Sequence, residues 1–401
     1  MRQNGDFRRF VWANGITQMG TQVTAVALPL TAVLTLDAGA FQLGLLSAAQ
    51  MAAFLLLGLP AGVWVDRARR RPILIWSDVV RGLALLTVPV AAWLGVLGLP
   101  QLFAVALVLG LGTVFFDVAH MSFLPAIVPR EGLERGNATL EVTRQVSLLA
   151  GPGLGGWLVN LLTAPFALLA DAASYLLSAL LLSGVRATET PGRGDGRLRR
   201  QVAEGVGFVA RDRVLRRIAV GGALVMMANG VMSVALPLYL IRELGVRAAQ
   251  YGLLLSASAV GSLVGALLVG RVTARFGTGR ALYGSAVLAT VLYLPALATG
   301  PGWRLLFFPL ASLLFGAVSV VFGVTQLSYR QRVTPEHLLG RVNASMRFLM
   351  WGAGPVGGLA GGALGEWLGA HAAFAVGAAV LGLSHLAVVT SPRIRTLATV
   401  G

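Results

Sequence analysis

The carboxylates Asp117 and Asp171 fall inside long apolar runs, where a charge has chemical consequences. Asp117 lies in the run 101–122, three residues before His120, and Asp171 lies in the run 165–185, about two helical turns from its external end, the start of the run. A charged side chain costs at least ~2.5 kcal/mol at the centre of a bilayer-spanning helix. An acid kept there can exchange a proton as it moves between a buried and a hydrated setting, or it can hydrogen-bond a neighbouring helix. The residues alone leave both open. The second half has no acid in mid-run, since Glu243 and Glu366 lie at run ends. Proton exchange, if present, is therefore expected in the first half, with Asp171 the deeper acid and Asp117 nearer a cavity.

Other polar groups are placed as deliberately. Asn14, Gln18 and Gln22 recur every four residues, on one face of a helix, with Thr21 beside them. Such a stripe lines a cavity or hydrogen-bonds another helix. Asn229 and the Met226–Met227 pair could form an opposing wall, methionine supplying adaptable apolar surface. Gly62 and Asp66 precede Arg67, Arg69, Arg70 and Arg71, and Asp78 and Arg81 follow. Ser147 leads to Gly151-Pro152-Gly153-Leu154-Gly155-Gly156, echoed by Gly354-Pro355-Val356-Gly357-Gly358. Glycines there permit close helix approach, and the proline bends the chain. Generic small-residue packing is the alternative.

Several chemistries are excluded. There is no cysteine, hence no thiolate site or disulfide. His120, His337, His371 and His385 are scattered and suggest no metal site. No lysine exists, so no Gly-x4-Gly-Lys phosphate loop exists, and ATP-driven chemistry within the chain is not expected. No acid, base and nucleophile cluster marks an enzyme, and no cofactor is implied.

The elements that must position these groups are long and apolar. The chain is 56% hydrophobic and 12% charged, with mean hydropathy +0.77. Runs near 11–36, 42–64, 73–96, 101–122, 139–161, 165–185, 218–241, 249–270, 281–299, 303–325, 344–368 and 371–390 are each long enough for a hydrocarbon layer of about 30 Å. They are continuously apolar rather than alternating, which selects helices over a barrel. The fold class predicted is an all-α membrane protein of twelve transmembrane helices.

The chain also repeats itself. Val26-Ala27-Leu28-Pro29-Leu30 recurs as Val234-Ala235-Leu236-Pro237-Leu238, 208 positions later. Further on the offset is 206: Leu133, Arg135, Asn137 and Ala138 return as Leu339, Arg341, Asn343 and Ala344, and Gly155-Gly156 as Gly361-Gly362. Two parallel six-helix repeats are expected, 1–190 and 218–401, joined by a cytoplasmic linker, 191–217, and rocking about a shared site. Within the linker, Leu198, Val202, Val206 and Val209 suit an amphipathic helix on the inner leaflet, while a solvated basic linker fits nearly as well.

A formal charge of +16 raises the question of nucleic acid, and its distribution answers it. All 32 basic residues are arginine. With both termini cytoplasmic, Arg242, Arg247 and Arg304 fall on the external side and Arg81 in mid-run, while the other 28 lie in or beside the cytoplasmic segments, as the positive-inside rule requires. No nucleic-acid partner is expected.

The Gly62–Arg71 loop, with Asp78 and Arg81 downstream, resembles the loop 2–3 signature of the major facilitator superfamily. The resemblance implies the major facilitator fold and a gating role for Asp66, which would meet the start of the eleventh helix in one conformer and leave it in the other. Arg69 stands where many relatives have glycine, and Ala274 occupies the Asp66 position of the second half, so the switch would be one-sided. The Gly151–Gly156 segment resembles an element associated with exporters of that superfamily. Phe116-Asp117, Pro125, Pro129 and Asn137-Ala138, then Asp171–Tyr175, then Glu204-Gly205 with Phe208-Val209 and Arg211-Asp212, resemble its macrolide-efflux and enterobactin-exporter branch. By that resemblance an inner-membrane antiporter is expected, functional as a monomer in the lipid bilayer, exporting an amphipathic small molecule in exchange for protons. An importer or lipid transporter of the same fold, or a non-transporting membrane sensor, are the other readings.

Overall fold

The computed structural model describes residues 2–129, 132–186, 198–335, 338–391 and 394, with the side chains of 2–4, 58–60, 62, 63, 66, 122, 134, 198–203 and 340 outside that description. The described chain is helical, without a strand. An apolar segment in lipid can satisfy its backbone only internally, which a helix does. The helices are α1 (Arg2–Leu34), α2 (Ala40–Arg67), α3 (Arg70–Trp93), α4 (Leu99–Ile127), α5 (Leu133–Leu162) and α6 (Ala164–Ser183), then α7 (Leu198–Arg211) and α8 (Arg213–Leu236). After them come α9 (Ala248–Leu292), α10 (Phe307–Val333), α11 (Leu339–Trp351), α12 (Ala353–Leu368), α13 (Ala370–Leu383) and α14 (Leu386–Val389).

Eight helical stretches among the described residues are long and apolar enough to cross a membrane. One of them, Ala248–Ala298, covers two expected spans, broken where Gly277 adopts φ 75°. A left-handed φ costs glycine nothing, so the chain turns there. The helices at expected spans one, five and eleven are not among the eight. Gln, Thr and Asn side chains lower the hydropathy of α1 and α5, while α11 and α12 are 13 and 16 residues long. The repeated Val-Ala-Leu-Pro-Leu segment also takes two forms. Pro29 is carried inside α1, whereas Pro237 opens a π-helical turn, Pro237–Glu243, after α8. Proline removes one helical N–H, and a π-turn is one way the ladder absorbs the loss.

The chain separates into two compact units, Met1–Asp195 with Val246–Ser256, and Gly196–Gly245 with Ala257–Gly401. In the first, α1 packs on α5 and α6, α3 on α4 and α6, and α2 on α4. In the second, α8 packs on α11, α12, α13 and α14.

The repeat is visible as repeated contacts inside each unit. Gly110 abuts the Gln50 carbonyl, and Gly316 abuts that of Ser258. Gly155 faces the backbone of Val23, and Gly361 that of Val231. Arg9 donates to the Gly184 carbonyl, and Arg217 to the Ala387 carbonyl and the Thr390 hydroxyl. The cores match as well: Phe10, Leu74 and Leu182 in the first cluster correspond by the same offsets to Ile218, Leu282 and Val388 in the second. Glycines at crossings let backbones approach closely, which is how helices associate where lipid offers no hydrophobic drive.

Candidate functional site

The first unit holds a buried polar network built from α1, α3, α4 and α6. Asp171 of α6 is fully buried. Its two carboxylate oxygens accept from the Thr24 hydroxyl of α1 at 2.5 Å and from Ser174, one turn along α6, at 2.8 Å. Tyr175 shares a hydrogen bond with Thr21 of α1 at 3.2 Å. Gly20 makes this crossing possible, because a Cβ there would overlap Asp171 and Ser174.

Arg81 joins this cluster to α3 and α4. Its guanidinium lies 4.3 Å from the centre of the Tyr175 ring and 4.5 Å from that of Phe116, near enough for cation–π attraction. It donates to Asp78 at 2.5 Å and to Thr113 of α4 at 3.3 Å. Ser178 of α6 donates to the other Asp78 oxygen at 2.6 Å. Asp78 and Arg81 form an ion pair with almost no exposure, which survives only because hydrogen bonds and rings complete both charges. Gly112 of α4 leaves room for the Arg81 stem.

The residues singled out from the sequence do not all gather in this network. Asp117 is partly buried on α4 and interacts electrostatically with Arg81. His120 stacks between Phe10 and Phe116, at 4.8 and 5.7 Å. Asp78 and Arg81, grouped by sequence with the loop 2–3 cluster, lie inside α3 and connect to Asp171 instead. Gly62 and Asp66 fall outside the described side chains. Arg67 is exposed, while Arg70 and Arg71 are partly buried. Arg71 reaches the carbonyls of Leu182 and Ser183 at the end of α6, where a helix presents unpaired acceptors and the negative end of its dipole.

On α1, Asn14 is buried and Gln18 and Gln22 are partly so. The Gln22 stem packs where Gly151 of α5 has no side chain. On α8, Met226 is partly buried and Asn229 exposed. The Gly151–Gly156 segment touches two helices. A Cβ on Gly155 would come within 3.0 Å of the Val23 Cα, and one on Gly156 would strike the Ala248 carbonyl at the start of α9. The Pro152 carbonyl meets Gly252 there in the same way. Gly153 differs, because a Cβ there would find its nearest neighbour, a Leu253 methyl, at an ordinary 3.5 Å. Gly155→Leu is therefore expected to abolish transport, since backbone cannot yield to the added side chain, whereas Gly153→Ala keeps it. Efflux assays paired with detergent-solubilised abundance check both.

The linker helix α7 packs on α11. Glu204 forms an ion pair with Arg341, and Gly205 fits against the Arg341 carbonyl and the Ser345 hydroxyl. The stretch 188–196 and His337 lie outside the described residues, as do the side chains of Leu198 and Val202. Thr24, Thr113 and Ser178 escaped sequence reasoning. Ser174, Tyr175 and Ser178 follow Asp171 at i+3, i+4 and i+7, a polar face on α6 that could have signalled the network.

Within each unit an apolar groove is also present. That of the first, about 430 Å³, runs between α3 and α4 past Trp76 and Phe115. That of the second, about 410 Å³, runs between α9 and α10 past Phe276, Gly284 and Ala317.

Long apolar helices surround the buried ionic network, and the comparisons identify the family that the chain belongs to. The sequence profile of the Major Facilitator Superfamily matches residues 10–355 and 218–398, so the chain belongs to that superfamily. It is a multi-pass membrane transporter and not an enzyme. It is 29% identical over 396 residues to the multidrug efflux pump Tap of Mycolicibacterium fortuitum, covering 94% of this chain and 93% of that one. Over 364 residues it is 29% identical to the enterobactin exporter EntS of Citrobacter koseri, covering 89% and 83%. The fold resembles a bacterial homologue of the iron transporter ferroportin in its inward-facing state, with TM-score 0.76, 18% identity and 98% of each chain covered.

Proposed function

We propose that this protein is a proton-coupled exporter of an amphipathic small molecule, working by alternating access in the inner membrane with both termini cytoplasmic. Two six-helix bundles, 1–190 and 218–401, would rock about a shared site. The observation that carries the reading is Asp171, a carboxyl enclosed by Thr24 and Ser174 inside a bundle whose near-full-length relatives are named as exporters. A buried acid held by hydroxyls can lose or gain its proton as its surroundings hydrate, which is what coupling to a pH gradient needs.

Inverted membrane vesicles with an acidic interior test this. Ethidium or fluorescein should accumulate inside and leak back when an ionophore collapses the gradient. Accumulation in right-side-out vesicles instead would make the protein an importer, lipid flux would make it a lipid transporter, and no flux of any probe would favour a sensor. Asp66 is proposed as the gate at the start of α11. Asp66→Asn should then reduce turnover about tenfold or more, the scale of a lost charge-assisted contact, while abundance stays unchanged. Normal transport by that variant removes the gating role.

A further inference from the structure

At the 206 and 208 offsets the charged members of the first unit's polar network are lost in the second: Asp78, Arg81 and Asp171 fall on Ala286, Ala289 and Gly377. At the 206 offset α4 and α10 align residue for residue: Gly110 with Gly316, Val114 with Val320, Phe116 with Phe322, Val118 with Val324 and Ser122 with Ser328. The alignment pairs Thr113 with Ser319, Asp117 with Gly323, His120 with Gln326 and Leu124 with Arg330. In the first unit Thr113 is held by Arg81, which is itself held by Asp78. At the 208 offset those two positions are Ala289 and Ala286, both fully buried. Ser319 has therefore lost the partner that its copy retains.

The consequence is visible along one face of α10. Ser319 Oγ, Gln326 Oε1 and Arg330 Nε are buried and have no hydrogen-bond partner among the described residues. They stand at i, i+7 and i+11, one stripe of a helix. Gly323 at i+4 completes the stripe, and a Cβ there would meet nothing within 4 Å. A buried polar atom left unpaired costs about 1–3 kcal/mol, so three in line form a face that gains by taking up a hydrogen-bonding partner. Charge indicates what. From Arg247 to Pro335 the sequence contains no Asp or Glu, so the stripe ends in a guanidinium with no acid of its own segment to neutralise it.

We propose that this face of α10 is a substrate-contact surface that selects an anionic amphipath. Arg330 takes the anionic group in charge-assisted hydrogen bonds, Ser319 and Gln326 take neutral oxygens or N–H groups, and the gap at Gly323 admits the apolar body between them. The assignment rests on the transporter reading above and adds the charge class of the substrate.

Equilibrium binding to the purified full-length protein tests it without requiring flux, so a failed exporter reading and a failed charge assignment give different results. The probes are fluorescein, an anion, and ethidium, a cation of similar size, followed by fluorescence anisotropy. Wild type should bind fluorescein more tightly than ethidium. Arg330→Gln should weaken fluorescein about tenfold or more, as expected for a hydrogen bond to a charged group, without weakening ethidium, and Arg330→Lys should restore part of the loss. Gly323→Leu should weaken both probes with the melting temperature unchanged, because the new side chain enters open space. Unchanged fluorescein affinity in Arg330→Gln overturns the proposal, as does preference of the wild type for ethidium. Equal loss of both probes in Arg330→Gln with a lowered melting temperature assigns Arg330 to structure and overturns it as well.

Discussion

Arg81→Met is expected to destabilise the protein by about 3–5 kcal/mol, the range for removing one partner of a buried ion pair. The cost arises at Asp78, which would keep its Ser178 hydrogen bond but lose the guanidinium 2.5 Å away. Thr113 would lose a donor, and the rings of Tyr175 and Phe116 would lose the cation between them. Methionine fills much of the space without a charge. The double variant Asp78→Asn/Arg81→Met should recover most of the loss, since no uncompensated charge remains. Thermal unfolding in detergent, run as a double-mutant cycle, measures the coupling. A single variant within ~0.5 kcal/mol of wild type, the range of ordinary surface substitutions, would show that the pair does not hold the bundle together. The second unit already does without it, having alanine at both positions.

The second large effect is expected at Asp171. Asn has the same shape and cannot titrate. Its amide can donate to Thr24 or Ser174, whose hydroxyls can turn to accept, so the α1–α6 crossing should hold. Asp171→Asn should therefore leave abundance and thermal stability near wild type. Uphill efflux driven by a pH gradient should fall at least about tenfold, the scale expected when a proton-transfer group is removed, while downhill exchange of substrate continues. Asp117→Asn should have the smaller effect, because Asp117 is only partly buried and Arg81 balances it. If both variants keep gradient-driven transport, the proton site lies elsewhere or the driving ion is not a proton.

Much of this architecture is legible in the sequence. Apolar run lengths are set by hydrocarbon thickness, and backbone satisfaction in lipid leaves a continuous apolar run only the helix. The internal repeat is legible for a similar reason. Matched glycines mark matched crossings, as Gly155 on Val23 and Gly361 on Val231 illustrate. The acids Asp117 and Asp171 stand out in sequence because charge is expensive in an apolar run.

The order of residues thus specifies one-dimensional features: helical runs, duplication, charge asymmetry and the positions of costly residues. Which of those residues meet is settled by the fold. Asp78 and Arg81 follow the loop 2–3 arginines in the chain, and their side chains belong with Thr113 on α4 and with Tyr175 and Ser178 on α6. Gln22 belongs to a periodic stripe, and the absence of a side chain at Gly151 places its stem against α5. The same holds for Ser319, whose lack of a partner cannot be read from its neighbours on α10. Its copy Thr113 is held by Arg81, whose own counterpart on α9 is Ala289, and a hydrogen bond needs two atoms within about 3 Å, a distance that folding alone sets.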